Sequence, residues 1–348
     1  MVPRRGVRYR PVNKVRFKLM PFRQVPKPLE RLLLKTAENL LKTSLAVKPG
    51  EKFLVITDIG TYPIGKAFFD AGVNAGAETI LNVIKERSRH GEEPPAPVAK
   101  AWEQANVYIV PTKYSLTHTQ ARKAATQAGA RGATMPDINI PMFKAGAITA
   151  DYSKVSKLCD QMGMLMDKTK EVRITSEAGT DITMSIEGRL KERDTGLLLK
   201  PGDFGNLPAG EVYCAPVEGS ANGKLVFDGA IASVGVLKKH VTVTVEQGYA
   251  TKITGGPEAT KFDALLAGMK KKEAYNVAEL GVGCNPNARL IGIILEDEKV
   301  YGTVHVAFGD NSTFGGNVQA GIHLDGIMRK PSMFLDGERV IEKGNWVI

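Results

Sequence analysis

Histidine is scarce in this chain, five among 348 residues, and two of the five lie close together beside carboxylates and glycines. His305 sits in Gly302-Thr303-Val304-His305-Val306-Ala307-Phe308-Gly309, and His323 in Gly321-Ile322-His323-Leu324-Asp325-Gly326. Neutral imidazole and carboxylate form a ligand set for zinc, iron, cobalt or manganese. His323 and Asp325 are two positions apart, so in an extended chain both project from one face and can reach one ion. The segment Gly309–Gly316 gives a flexible loop able to fold back. Two histidines and one carboxylate make a facial triad that leaves open positions for water or substrate.

Other acids sit in glycine- or proline-rich settings. Leu207-Pro208-Ala209-Gly210-Glu211 places Glu211 at the start of a strand. Glu279 precedes Gly281-Val282-Gly283, which reads as a loop whose small residues let backbone approach a ligand. The run Glu296-Asp297-Glu298 lies shortly before His305. Each of these alone reads as a solvated surface acid. Beside the histidines, Glu211 and Glu279 complete a metal site, or one of them acts as general base. Tyr114-Ser115-Leu116-Thr117-His118-Thr119 follows a strand at its carboxyl end, where open α/β sheets bind ligands. There Thr117 is expected to cap the next helix, and His118 to contact substrate. Gly60-Thr61-Tyr62-Pro63-Ile64-Gly65-Lys66 satisfies the spacing of a phosphate loop, but Ala67 stands where a hydroxyl should hold magnesium. An ordinary strand-to-helix turn is expected there.

The elements that must position these residues follow from periodicity. An amphipathic helix is expected over 28–48, with Leu29, Leu32, Leu33, Ala37 and Leu40 on one face. Strands at 53–57, 79–84, 107–110 and 131–135 alternate with helices at 64–75, 97–104 and 117–128, which predicts a parallel sheet covered on both faces. One long helix is expected from about 144 to 166. Strand pairs then surround Gly179-Thr180-Asp181, Asp228-Gly229, Gln247-Gly248 and Asp336-Gly337, the last three being turn pairs of hairpin type. A helix over 259–270 interrupts them. The expected fold class is α/β: an N-terminal doubly wound parallel-sheet domain over 28–168, then an antiparallel α+β metal-binding domain over 169–348.

The formal net charge of +10 invites a nucleic-acid reading, but its placement opposes one. Residues 1–27 hold nine lysines and arginines and no acid, which leaves about +1 for the rest. The first 27 residues are therefore expected to be a basic extension on a nearly neutral body, with no nucleic-acid partner. No apolar run of about 18 residues predicts a membrane span. The start of the chain lacks the apolar core of a signal peptide. Cys159, Cys214 and Cys284 form no paired motif, and a reducing cytoplasm is the expected setting.

Taken together, Leu207-Pro-x-Gly-Glu211, Glu279-Leu-Gly-x-Gly, Gly302-Thr-x-His305-x-Ala-x-Gly309 and His323-x-Asp325 resemble the aminopeptidase T-like, or M29, metallopeptidase superfamily, which includes dihydroxypyridine dioxygenase-like members. The resemblance covers most of residues 50–345. It implies a dimer or higher homo-oligomer and a metal site built from Glu211, Glu279, His305, His323 and Asp325. Glu279 would bridge two ions or activate water. Two departures stand out: Val300 where the peptidase pattern has an acid, and Ser312 where it has a tyrosine. The resemblance carries three functional expectations. The first is an aminopeptidase acting on small peptides with two zinc, cobalt or manganese ions per chain. The second is a ring-cleaving dioxygenase acting on a small molecule with one iron. The third is a non-catalytic binding protein of the same fold.

Overall fold

The computed structural model describes residues 26–348. The basic extension, up to residue 25, lies outside the described residues. Five strands form the parallel sheet, in the order Glu78–Ile84, Lys52–Asp58, Val107–Thr112, Arg131–Pro136 and Phe204–Asn206. Alternate residues of its strands enter two different cores. Phe53, Val55, Val107 and Ile109 pack with the helices Lys27–Thr43 and Tyr62–Asn74 through Leu33, Leu40, Ile64 and Phe68. Leu54, Ile56, Tyr108 and Val110 pack with Trp102, Ala121 and Ala125 of the helices Ala96–Glu103 and Gln120–Gln127. That alternation makes the sheet doubly wound, as the near-continuous apolar strand runs predict. The fifth strand, Phe204–Asn206, comes from far along the chain and adds to Arg131–Pro136.

The rest of the chain builds two antiparallel sheets, in keeping with the expected mixed α/β class. One has eight strands, and it includes Glu171–Thr175, Asp181–Ser185, Asn222–Phe227, Val241–Glu246 and Ser332–Leu335. The other runs Gly235–Val236, Ala230–Ile231, His323–Met328, Val304–Gly309, Val277–Gly283, Glu211–Cys214, Glu192–Asp194. The two share one core, where Phe227 meets Phe308 and both meet Phe262 of the helix Pro257–Ala267 in edge-to-face contacts.

Several local expectations need correction. The long helix over 144–166 is three pieces: Ile140–Lys144, a 3₁₀ turn Ala147–Thr149, and Tyr152–Lys168. Gly146 at φ +86 breaks the first, and the Asp151 carboxylate caps the last by accepting from the Ser153 amide. Thr119, not Thr117, caps Gln120–Gln127 by accepting from the Arg122 amide. The Thr117 hydroxyl instead bonds Thr134. Gln247-Gly248 and Asp336-Gly337 are hairpin turns with both φ values positive. Asp228-Gly229 is a corner between sheets, because Asn222–Phe227 and Ala230–Ile231 pair with different partners. Among the described residues, no helix is long and apolar enough to cross a membrane.

Candidate metal centre

The candidate ligands come from one sheet face, and register explains how. Across the seven-stranded sheet, Glu279 lies opposite Ala307, and Ala307 opposite Asp325. Gly281 lies opposite His305, Gly309 opposite His323, and Gly283 opposite Glu211. Cross-strand partners share a face and residues two apart share a face, so these odd-numbered positions all point the same way. The even positions Val212, Leu280, Val282, Val306, Phe308 and Leu324 point into the apolar core. Glu279 therefore does not precede a loop. It lies inside the strand Val277–Gly283, and Gly281 and Gly283 are strand residues. A side chain at Gly281 would overlap the imidazole of His305, which lies across the bare backbone there.

The side chains converge on Glu279. Its Oε1 lies 3.2 Å from His305 Nε2, and its Oε2 3.3 Å from His323 Nε2. Asp325 Oδ1 is 3.3 Å from His323 Nε2, and Glu211 Oε2 is 3.3 Å from His305 Nε2. Two ligand sets, each able to hold one ion, result: Glu211, Glu279 and His305, and then Glu279, His323 and Asp325; the expected triad of His305, His323 and Asp325 is not such a set among the described residues. Glu279 belongs to both. His323 Nδ1 lies 2.7 Å from the Asp310 carbonyl, and an N–H donated there leaves Nε2 free for an ion. Glu211 Oε2 is buried without a hydrogen-bond partner. Buried carboxylates clustered with imidazoles, one acid oxygen unsatisfied, fit a divalent cation.

The electrostatics of the metal-free cluster agree. Burial alone would raise Glu279, but hydrogen bonds and charge from His305 and His323 hold its carboxyl down at about 2. Burial would lower His305, yet the Glu279 hydrogen bond and the charges of Glu211, Glu279 and Asp325 raise it to about 9. His323 is likewise held well above the ordinary imidazole range against its own burial, chiefly by Asp325. Protons thus sit on both imidazoles when no ion is there, and an ion must displace them.

Sequence reasoning missed the neighbours of this cluster. Lys299 is wholly buried and its ammonium bonds Glu211, with Glu298 Oε1 at 2.5 Å and Asp194 Oδ2 at 3.7 Å. Burial pushes Glu298 up to about 8 and Asp194 to about 7. The run 296–299 is therefore not a solvated surface: Glu296 and Asp297 are buried too. Glu296 accepts from the amides of Ala147 and Arg289, and Asp297 from those of Ile291 and Gly292. No sequence signal separates such a run from an exposed one.

The loop after His305 does fold back. Asp310 accepts from the amides of Ser312, Ala320 and Gly321. Glu218 accepts from the Asn317 amide and the Asn311 side chain. This sets Phe314 edge-on to His323, ring centroids 5.7 Å apart, and against Tyr213 at 5.6 Å. Ser312, where the peptidase pattern has a tyrosine, spends its hydroxyl on Asp310. His118 is solvent-accessible. Burial first, then the charges of Arg122 and His323, lower its pKa, so its imidazole is neutral at pH 7. The Gly60–Lys66 segment is the expected strand-to-helix turn, with Thr61 bonded to Asp58 and the Pro111 carbonyl.

The sequence profile of the family described as NicX, 2,5-dihydroxypyridine 5,6-dioxygenase, matches residues 33–348. The chain belongs to this family. A curated member, the 2,5-dihydroxypyridine 5,6-dioxygenase of Pseudomonas putida, is 26% identical over 195 residues, spanning 53% of this chain and 56% of that relative. The match thus covers little more than half of the relative's length. The solved 2,5-dihydroxypyridine dioxygenase of Pseudomonas putida KT2440 superposes with a TM-score of 0.79 at 19% identity, over 93% of this chain and 98% of that one. AmpT from Thermus thermophilus superposes with a TM-score of 0.67 at 16% identity, over 92% of this chain and all of that one. At those identities the likeness shows a common fold, shared with the dioxygenase and with AmpT. The family match and the curated relative overturn the aminopeptidase expectation, and with it the hydrolase and metalloprotease expectations. The misleading signal was physical: histidines and acids on shared strands mark a metal site but not the reaction it runs, so ligand motifs alone do not fix the chemistry.

Proposed function

We propose that the protein is a ring-opening dioxygenase acting on 2,5-dihydroxypyridine or a close dihydroxylated heteroaromatic, with one iron(II) held by Glu279, His323 and Asp325 and with His305 bonded to Glu279 beside it. The family match, which spans the entire site, carries this reading. Iron(II) supplies, when bound, the one-electron chemistry that lets dioxygen react with a closed-shell ring.

The chain's own residues account for the rest. His323 is oriented by the Asp310 carbonyl and His305 by close packing over Gly281, so both imidazoles are preset toward the shared acid. Glu211 completes the acid wall beside His305. Phe314, edge-on to His323 and packed against Tyr213, offers aromatic surface suited to a flat ring. On this reading His118, neutral and accessible, takes the hydrogen bond, and then the proton, of a ring hydroxyl.

The test is oxygen consumption by protein loaded anaerobically with iron(II) and given 2,5-dihydroxypyridine. One dioxygen per ring consumed, with loss of the aromatic absorbance, is the expected result. No uptake by iron-loaded, folded protein would overturn the assignment. An aminoacyl anilide offered with zinc, cobalt or manganese serves as the control and should not be cleaved.

A further inference from the structure

Beside the proposed ion lies a cation the chain supplies itself. Lys299 has no solvent exposure, and its ammonium sits among three acids, Glu211, Glu298 and Asp194. Glu211 faces two ways: Oε1 bonds the ammonium, while Oε2 points at His305. The backbone around Lys299 is fixed. Its amide bonds the Glu296 carbonyl, and its carbonyl accepts from the Asn285 amide. The Asn285 side chain is tied to the carbonyls of Ala147 and Ala209. The ammonium is therefore delivered to one place rather than swinging into it.

The two ligand sets joined by Glu279 have the form of a two-ion site. At the set containing Glu211 and His305, however, the fixed ammonium already engages the acid that a second ion would need. A dication placed there would stand within a few ångströms of a buried positive charge, in surroundings that screen it poorly.

We propose that Lys299 is the residue that restricts this centre to a single divalent ion, by occupying with an ammonium the end of the acid cluster where a second ion would bind. The proposal rests on the metal-site reading above but not on the oxygenase reaction. Its test counts ions, so failure of one is distinguishable from failure of the other.

The experiment measures bound metal per chain by elemental analysis and native mass spectrometry, after anaerobic equilibration with excess iron(II) and separately with manganese(II). Wild type is expected to hold one ion, with any second ion at least ~10²-fold weaker. Lys299→Met, neutral and of similar length, is expected to hold two. Two tight ions in wild type, or one in folded Lys299→Met, would overturn the proposal. Where the variant folds only with metal in the growth medium, two ions in that preparation support it and one overturns it. Lys299→Arg, which keeps the charge, is expected to remain at one, and two ions there count against the proposal.

Discussion

Replacing Gly281 with alanine tests the register argument on which the centre depends. A Cβ at that position would intrude on the imidazole of His305, and even the ring carbon Cδ2 would be 2.8 Å away, against the ~3.5–4.0 Å of a relaxed carbon pair. The ring cannot yield easily. It is fully buried, with Nε2 between Glu279 at 3.2 Å and Glu211 at 3.3 Å. Overpacking of this kind costs about 1–3 kcal/mol of stability. Turning the ring to escape takes Nε2 off the shared acid, and losing the partner that orients a ligating acid costs up to roughly 10²-fold in metal affinity, about 2.7 kcal/mol. Anaerobic calorimetric titration with iron(II) or manganese(II) reads the affinity, and thermal melting of the metal-free protein reads the strain. Ion affinity within threefold of wild type, together with an unshifted melt, would refute the argument that bare backbone at 281 makes room for His305.

Other perturbations separate the parts of the structure. His323→Ala should abolish both metal retention and oxygen uptake; a variant that keeps either takes His323 out of the centre. Arg131 is buried and its guanidinium bonds both Glu51 oxygens and the carbonyls of Leu45 and Ala46. Arg131→Met should cost about 3–5 kcal/mol in denaturant unfolding by stranding those acceptors, and a loss under ~1 kcal/mol would show that the pair is dispensable. Burial lifts Asp297 to about 6, above its unfolded value, so its contribution is fully present below pH ~4 and is lost as pH rises through 6. Asp297→Asn should therefore gain about 1–2 kcal/mol relative to wild type between pH 5 and pH 7.5, and a pH-independent difference would sink that account.

The apolar periodicity of the parallel-sheet half, and its strand–helix alternation, were legible because both faces of that sheet are buried and each strand reads as an apolar run. The five candidate ligands were legible because histidines and acids interrupt runs such as Val304-His305-Val306 at positions that one sheet face must share. What escaped was set by tertiary contact. Glu296-Asp297-Glu298-Lys299 has the composition of a solvated turn, and only the amides of Ala147, Arg289, Ile291 and Gly292, brought from other segments, make its burial possible. Asp194, in Glu192-Arg193-Asp194, joins the cluster only because that strand pairs with Glu211–Cys214. The Asp228-Gly229 pair carries hairpin chemistry but turns a corner, since local turn preference says nothing about which sheet the next strand joins.

The choice between the two enzymatic readings hung on a different kind of information. Glu211, Glu279, His305, His323 and Asp325 can be described equally as one ion with a supporting acid wall or as two ions bridged by Glu279. On the proposal above, what breaks the tie locally is a charge that the ligand motifs do not contain. At position 300, where the peptidase pattern has an acid, the chain has a valine whose carbonyl packs against Gly283, and the residue before it sends a buried ammonium to Glu211. An acid at 300 would add negative charge for a second ion, whereas a lysine at 299 adds the positive charge such an ion would have brought. On the proposal above, the sign of a single buried side chain beside the ligands sets how many ions the centre holds, with the ligand-bearing strands left in place.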